Sequence, residues 1–184
     1  MLKIDVFGGQ VFDEETSRVI TINPTTLTLE HSLIAISKWE SKFHVPFLDE
    51  REKSIEEIRY YIECMTITPN VDPNVYLYLP NWQIEEILEY IKDPMTATWF
   101  SDGGKSGRLG TGRKEIITSE LIYYWMVTLD IDFTCEKWHI NRLLTLIQVC
   151  NIKNAPETKK NRNEILKGND ALNAARRAKY NTKG

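Results

Sequence analysis

Cysteine is scarce in this sequence and never closely spaced. Cys64, Cys135 and Cys150 stand far apart, and no CxxC pair occurs. That excludes the zinc frameworks built on paired cysteines, and an odd, scattered count argues against a disulfide scaffold. A reducing compartment is the expectation. The opening stretch MLKIDVFGGQ carries no charged start followed by a long apolar run, so a signal peptide is not expected. No window reaches the roughly 18 apolar residues in succession that a membrane helix requires. No internal repeat of fixed period is found either.

Histidine is equally sparse, and it is placed poorly for catalysis. His31 and His44 flank one helical segment without a serine or cysteine nucleophile beside them. Ser32 adjoins His31 but neighbouring positions on a helix diverge. Cys135 and His139 are four apart, a helical spacing that a metal can use, yet two ligands do not complete a site. A packed thiol beside a surface histidine is the plainer expectation. Asp130 and Asp132 in LDIDF lack the further oxygen ligands of a calcium loop and read as turn residues. Glu56, Glu57, Glu85 and Glu86 fall on polar helix faces. No acid, base and nucleophile assemble, so the expectation is a protein that is not an enzyme and takes no cofactor or metal.

One stretch does invite an enzymatic reading. FSDGGKSGRLGTGRKE, residues 100–115, contains Gly-Lys-Ser. A phosphate-binding loop needs a glycine five positions before the one at Gly104, and Trp99 stands there. Nor do Gly107, Gly110 and Gly112 have dinucleotide-fingerprint spacing. The expectation is instead a connection at 100–114, with Thr96–Phe100 and Lys114–Thr118 pairing as strands and glycines freeing the tip. Lys105, Arg108, Arg113 and Lys114 would make it a basic arm for a partner.

What the chain does contain is an ordinary globular composition with an unequal charge distribution. Apolar residues make up 42% and charged residues 27%, and five Trp, eight Tyr and six Phe can anchor a core. Residues 151–184 hold nine Lys or Arg against three acids, a net +6, which leaves −9 on the first 150. Such asymmetry suggests a basic interaction tail, with Arg176, Arg177 and Lys179 as candidate partner-binding residues. Tyr180 is the tail's one aromatic, so stacking on nucleic-acid bases is poorly supplied. An acidic protein surface is the better partner for it.

Periodicity organises the rest. Leu2, Ile4 and Val6 alternate with polar residues into Gly8-Gly9, where a tight turn is expected, and RVITIN supplies a further β stretch that Asn23-Pro24 closes. TLEHSLIAISKWESKFH has helical spacing at Leu29, Leu33, Ile36 and Phe43, ending before Pro46. Ser54 and Glu57 form a capping box ahead of Ile55, Ile58, Ile62 and Met65. Asn81 is a candidate cap for the helix carrying Ile84, Ile87, Leu88 and Ile91. TSELIYYWMVTL is apolar nearly all round and is expected to be buried on most of its surface. Thr134 is a candidate cap for one helix running through CEKWHINRLLTLIQVCNIK. The expected fold is therefore α+β: a mainly α-helical domain, a small N-terminal antiparallel β-sheet or hairpin, and a flexible basic C-terminal tail. Its expected divisions are a β-rich module at 1–24, a helical domain at 25–154, and the tail at 155–184.

The segments LEHSLIAISKWESKF, IRYYIECMTI, PMTATWF, WHINRLLTLIQVC and LNAARRAKYNTKG, spread over residues 29–184, together resemble a class of proteins encoded among the tail genes of long-tailed bacteriophages. Some of that class are tail assembly chaperones. The resemblance lies in overall pattern, and no individual functional residue is carried over. It implies binding of the tape-measure protein while tail tube protein subunits assemble around it in the host cytoplasm, with self-association as a further expectation. Aromatic segments around Trp39, Trp82 and Trp125 would either cover such a partner or fill the core. A structural subunit retained in the virion is the alternative, and a nucleic-acid-binding regulator using the basic tail is a third reading.

Overall fold

A computed structural model describes residues 1–13, 17–100, 116–155, 172–173 and 176. Contacts divide the chain into two compact units, Met1–Asn151 and Ile152–Gly184. The first is an α+β unit, mainly helical, with its sheet at the N-terminal end. Among the described residues no helix is long and apolar enough to cross a membrane.

The β region is one long hairpin broken in the middle. Strand β1 (Leu2–Val6) pairs with β4 (Thr25–Leu29), and β2 (Gly9–Asp13) pairs with β3 (Arg18–Ile22), all antiparallel. A single register runs through both halves: Leu2 faces Leu29, Val6 faces Thr25, Gly9 faces Ile22 and Asp13 faces Arg18. The expected tight turn at Gly8-Gly9 is therefore absent, and the chain passes straight through. The break has a local cause. Pro24 has no N–H to give the ladder, and a Cβ on Gly8 would lie 2.7 Å from Pro24 Cδ. Only glycine fits there.

Across the break the buried face changes. Ile4, Val6, Leu27 and Leu29 point into the core from the inner half, whereas Ile22 is the buried residue of the outer half, with Val11 and Ile20 half-buried beside it. Both edges of the inner half are covered. The Ile67 amide donates to Thr28 O at 2.8 Å, the Thr28 amide to Thr68 Oγ1 at 2.9 Å, and Gln83 Nε2 to Asp5 O at 2.9 Å. Covered edges cannot recruit another strand. The β module thus extends to Leu29 and not to 24. Thr25, Thr26 and Thr28 are β-branched around Leu27 and Leu29, a period of two that the helical reading of Leu29 overlooked.

Helix α1 (Leu33–Phe43) is the centre of the core, with Leu33, Ile36 and Trp39 fully buried. Ser32 caps it, its hydroxyl accepting from the Ala35 amide at 3.3 Å. Helix α2 (Ile55–Met65) begins with the expected capping box, which Arg51 reinforces by gripping both carboxylate oxygens of Glu57 at 2.8 and 3.1 Å. Its buried residues are Tyr61, Ile62 and Met65, while Ile55 lies in solvent. A short helix α3 (Asn74–Leu77) leads to α4 (Asn81–Lys92). Pro80 occupies the cap position there, so Asn81 is already inside the helix and caps nothing.

Helix α5 (Ser119–Thr128) buries only Ser119, Ile122 and Met126, and Tyr124 and Val127 are each 62% exposed. Its apolar surround is thus not a sign of enclosure. The expected single helix after Thr134 is two elements, a 3₁₀ turn (Phe133–Lys137) and α6 (Ile140–Asn154). Asp132, not Thr134, caps the turn, by accepting from the Thr134 amide at 2.7 Å. The expected strand at Thr96–Phe100 does not form, nor do Ile116–Thr118 extend one. Local bonds win: Asp93 Oδ1 accepts from the Met95 amide and Thr96 Oγ1 from the Thr98 amide, bending the chain.

Glu40 ties the last turn of α1 to two distant segments. Its carboxylate is buried and accepts from the Phe47 amide and the Ser119 amide, both at 2.8 Å. Ser119 opens α5, where free N–H groups favour a negative charge. Glu40→Ala leaves two buried donors without an acceptor and should cost about 2–4 kcal/mol. Glu40→Gln, which keeps one good acceptor, should cost less. Urea denaturation of both variants measures the ordering, and equal stability of Glu40→Ala and wild type would contradict it.

Candidate functional site

The largest buried polar cluster gathers around two histidines that lie far apart in the sequence. His31 closes the link from β4 to α1, and His139 stands immediately before α6. Both are buried, at 2% and 5% exposure, and their rings meet edge to face at 4.9 Å. An isolated bridge between Ser32 and His139 aligns the two backbones. His139 was expected at the surface beside Cys135. In fact Trp138 separates it from the 3₁₀ turn, so the two residues do not share a helix face.

Each ring has a defined polar neighbour. The Tyr61 hydroxyl and His31 Nδ1 share a hydrogen bond. His139 Nε2 donates to Tyr90 O at 3.1 Å, and His139 Nδ1 accepts from the Asn141 amide at 3.3 Å. The Tyr90 hydroxyl donates to Glu30 Oε1 at 2.7 Å, while Glu30 Oε2 lies 3.0 Å from the Met1 ammonium. Asn141 Nδ2 donates to Ile91 O and Asp93 O, fixing the end of α4 against the start of α6.

This environment keeps both imidazoles neutral. Burial, and then the adjacent His139, pushes His31 down to about 3. Burial also lowers His139, against a raising pull from Tyr90 O, Glu30 and Asp93. Tyr61 and Tyr90 are shifted upward by burial, so both phenols stay protonated. Cys64 is pushed up to about 11 and Cys135 upward, each by burial, which makes them poor nucleophiles near neutral pH. The cluster is a hydrogen-bonded network of neutral imidazoles and phenols, ended by the Glu30–Met1 ion pair. Among the described residues no group of three or more His, Cys, Asp or Glu is arranged to hold a metal ion.

A cavity of about 420 Å³ lies near the other end of α1, lined by Glu40, Ser41, His44, Val45, Pro46, Thr118 and Glu120. Its carboxylates are already engaged. Glu40 holds two amides, and backbone N–H and the Thr118 hydroxyl hold Glu120 below the usual carboxylate range.

Lys105, Arg108, Arg113, Lys114, Arg177 and Lys179 lie outside the described residues, and Arg176 is helical and exposed. Of the aromatic segments, Trp39 is core, Trp125 is half-buried and Trp82 is 56% exposed. What the sequence reading missed is the outer hairpin, where Phe12 and Val19 are each 60% exposed, with Phe7 beside the break at 78%. Phe12 and Val19 face each other across the ladder. Alternation alone assigns Phe12 to the same face as Ile4 and Val6. Only the break at Gly8 and Pro24 reverses that.

Two measurements examine the cluster. Tyr61→Phe keeps the ring stacked on Phe47 but removes the hydrogen bond to His31, and should cost about 1–3 kcal/mol in urea denaturation. His31 is neutral when folded and titrates near 6.5 when unfolded, so the unfolded chain takes up the proton first. Stability should therefore fall as pH drops from about 6.5 toward 3, by about 1.4 kcal/mol per pH unit from this residue. His31→Gln should flatten the curve between pH 6.5 and 5, and an unchanged slope would remove His31 as its source.

Comparison with family models, with curated proteins and with solved structures finds no match to this chain.

Proposed function

We propose that the chain is a non-enzymatic binding protein of phage tail morphogenesis, a tail assembly chaperone that engages the tape-measure protein in the host cytoplasm. One observation carries the binding half of this reading: the exposed outer hairpin. Two strands alone are marginally stable in water, and an aromatic residue paired with a β-branched one on an open face favours a covering partner. Strand addition or apolar capture are the two modes such an arm supports. Trp82 on α4 and Tyr124 and Val127 on α5 are further exposed apolar residues. The tail-assembly half rests on the sequence resemblance over residues 29–184. Free Cys64, Cys135 and Cys150 suit a reducing compartment. A tape-measure protein awaiting its tube presents long apolar helical stripes, which is the chemistry an exposed aromatic arm binds.

Co-purification of the tagged full chain with the tape-measure and tail tube proteins checks the reading. Binding to the tape-measure protein is expected. Phe12→Asp combined with Val19→Asp should weaken it at least about tenfold while leaving the urea midpoint unchanged. An absence of affinity for both proteins would defeat the proposal. Mass spectrometry of purified virions separates the chaperone from a structural subunit, since a subunit would be present in fixed copy number.

A further inference from the structure

The first turn of any α-helix exposes four N–H groups that the helix itself cannot satisfy. In α6 the histidine pair takes those of Ile140, Asn141 and Arg142, and His139 O also accepts the first bond of the helix's own ladder, from Leu143. The Ile140 amide donates to His31 O at 2.7 Å and the Asn141 amide to His139 Nδ1 at 3.3 Å. The Arg142 and Leu143 amides donate to His139 O at 3.0 and 3.1 Å. Histidine is an unusual residue for this position, where Ser, Thr, Asp and Asn prevail. Unlike those, its acceptor nitrogen can be erased by one proton.

That proton has only one place to go. Nε2 of His139 already carries hydrogen, because it donates to Tyr90 O. A second proton must therefore sit on Nδ1, pointing at the Asn141 N–H. Donor then faces donor, the capping bond is lost, and a cation stands at the positive end of the α6 dipole. The charged groups around the ring are divided. Glu30, from the β4–α1 link, and Asp93, after α4, attract the proton; the Met1 ammonium at the start of β1 opposes it, and so does a charge on His31. Tyr90 from α4 and Tyr61 from α2 stay neutral phenols, and on α6 itself the Arg142 guanidinium lies over the Trp138 ring. Burial holds His139 below the usual imidazole range while Tyr90 O and the carboxylates pull against it, so the proton arrives on acidification, and the capping geometry makes its arrival disruptive.

We infer that His139 is a proton-labile cap, and that mild acid opens the first turn of α6 and frees it from His31 while the rest of the core stays closed. The affected bonds are the Ser32–His139 bridge, the Ile140 amide to His31 O, and the Asn141 side chain to the end of α4. Helix α1 and the inner hairpin share none of them except at His31 and the cap residue Ser32.

Amide hydrogen exchange of the full chain, followed residue by residue from pH 7 to pH 5, tests this. Protection at Ile140, Asn141, Arg142 and Leu143 should fall by up to about tenfold per pH unit below the His139 titration, after correction for intrinsic exchange. Protection at Tyr61, Ile62 and Met65 should change far less. His139→Asn supplies a cap that does not titrate, and it should abolish the pH dependence at α6. Equal loss of protection in α2 and α6, no loss in α6, or the same pH dependence in His139→Asn would each overturn the inference. Should that variant fail to fold, nitrogen NMR of the wild-type imidazoles decides. An unprotonated Nδ1 on His139 at pH 7, gaining its proton together with the α6 amide changes, supports the cap. A protonated Nδ1 at pH 7 refutes it.

Discussion

A buried polar atom must find its partner inside the protein, and helix α1 meets that demand at both ends. Its core-facing residues are enclosed on every side, so anything polar beside them is enclosed as well. At the N-terminal end His31 and Ser32 are satisfied through Tyr61, Ala35 and the backbone before α6. At the C-terminal end Glu40 is satisfied by amides 7 and 79 residues away. Each of these bonds contributes only about 1 kcal/mol net when made, but leaving one unmade costs about 1–3 kcal/mol. That asymmetry matters more than the sum. It means that α2, α5 and α6 are fixed not only by apolar area, which tolerates sliding, but by atoms that must register.

The two halves of the hairpin follow opposite logic. The inner half has its apolar residues in the core and its edges covered by Thr68 and Gln83, a closed arrangement. The outer half keeps Phe12 and Val19 in water. Two residues separate these regimes, and both act through what they lack: Pro24 lacks an N–H and Gly8 lacks a side chain. The functional reading and the fold therefore meet at one short break in an otherwise continuous ladder.

Much of the fold could be read from local chemistry. The Ser54–Glu57 box, the period-two alternation of Leu2, Ile4 and Val6, and the helical spacing of Ile84, Ile87 and Ile91 all act within a few residues, and they appear where expected. The failures share the opposite property. Tyr124 and Val127 look like core because they are apolar, yet their exposure depends on what lies across from α5. His139 looks like a surface residue because it is polar, yet His31, more than a hundred positions earlier, defines its surroundings. Leu29 suits a helix or a strand by spacing, and pairing with Leu2 decides. The candidate site was the least legible part, since Glu30, Tyr61 and Tyr90 carry no motif and meet only through tertiary packing.

The uniform register has a consequence for how the arm can vary. Because the outer strands stay in phase with the inner ones, a matched residue pair can be added or removed near the tip without shifting the pairing below Pro24. Each added pair lengthens the projection by about 3.4 Å, and each odd increment swaps which side chains point outward. Reach and stickiness are thus adjustable independently of the globular body, as with a tool whose head is exchanged while the handle is kept.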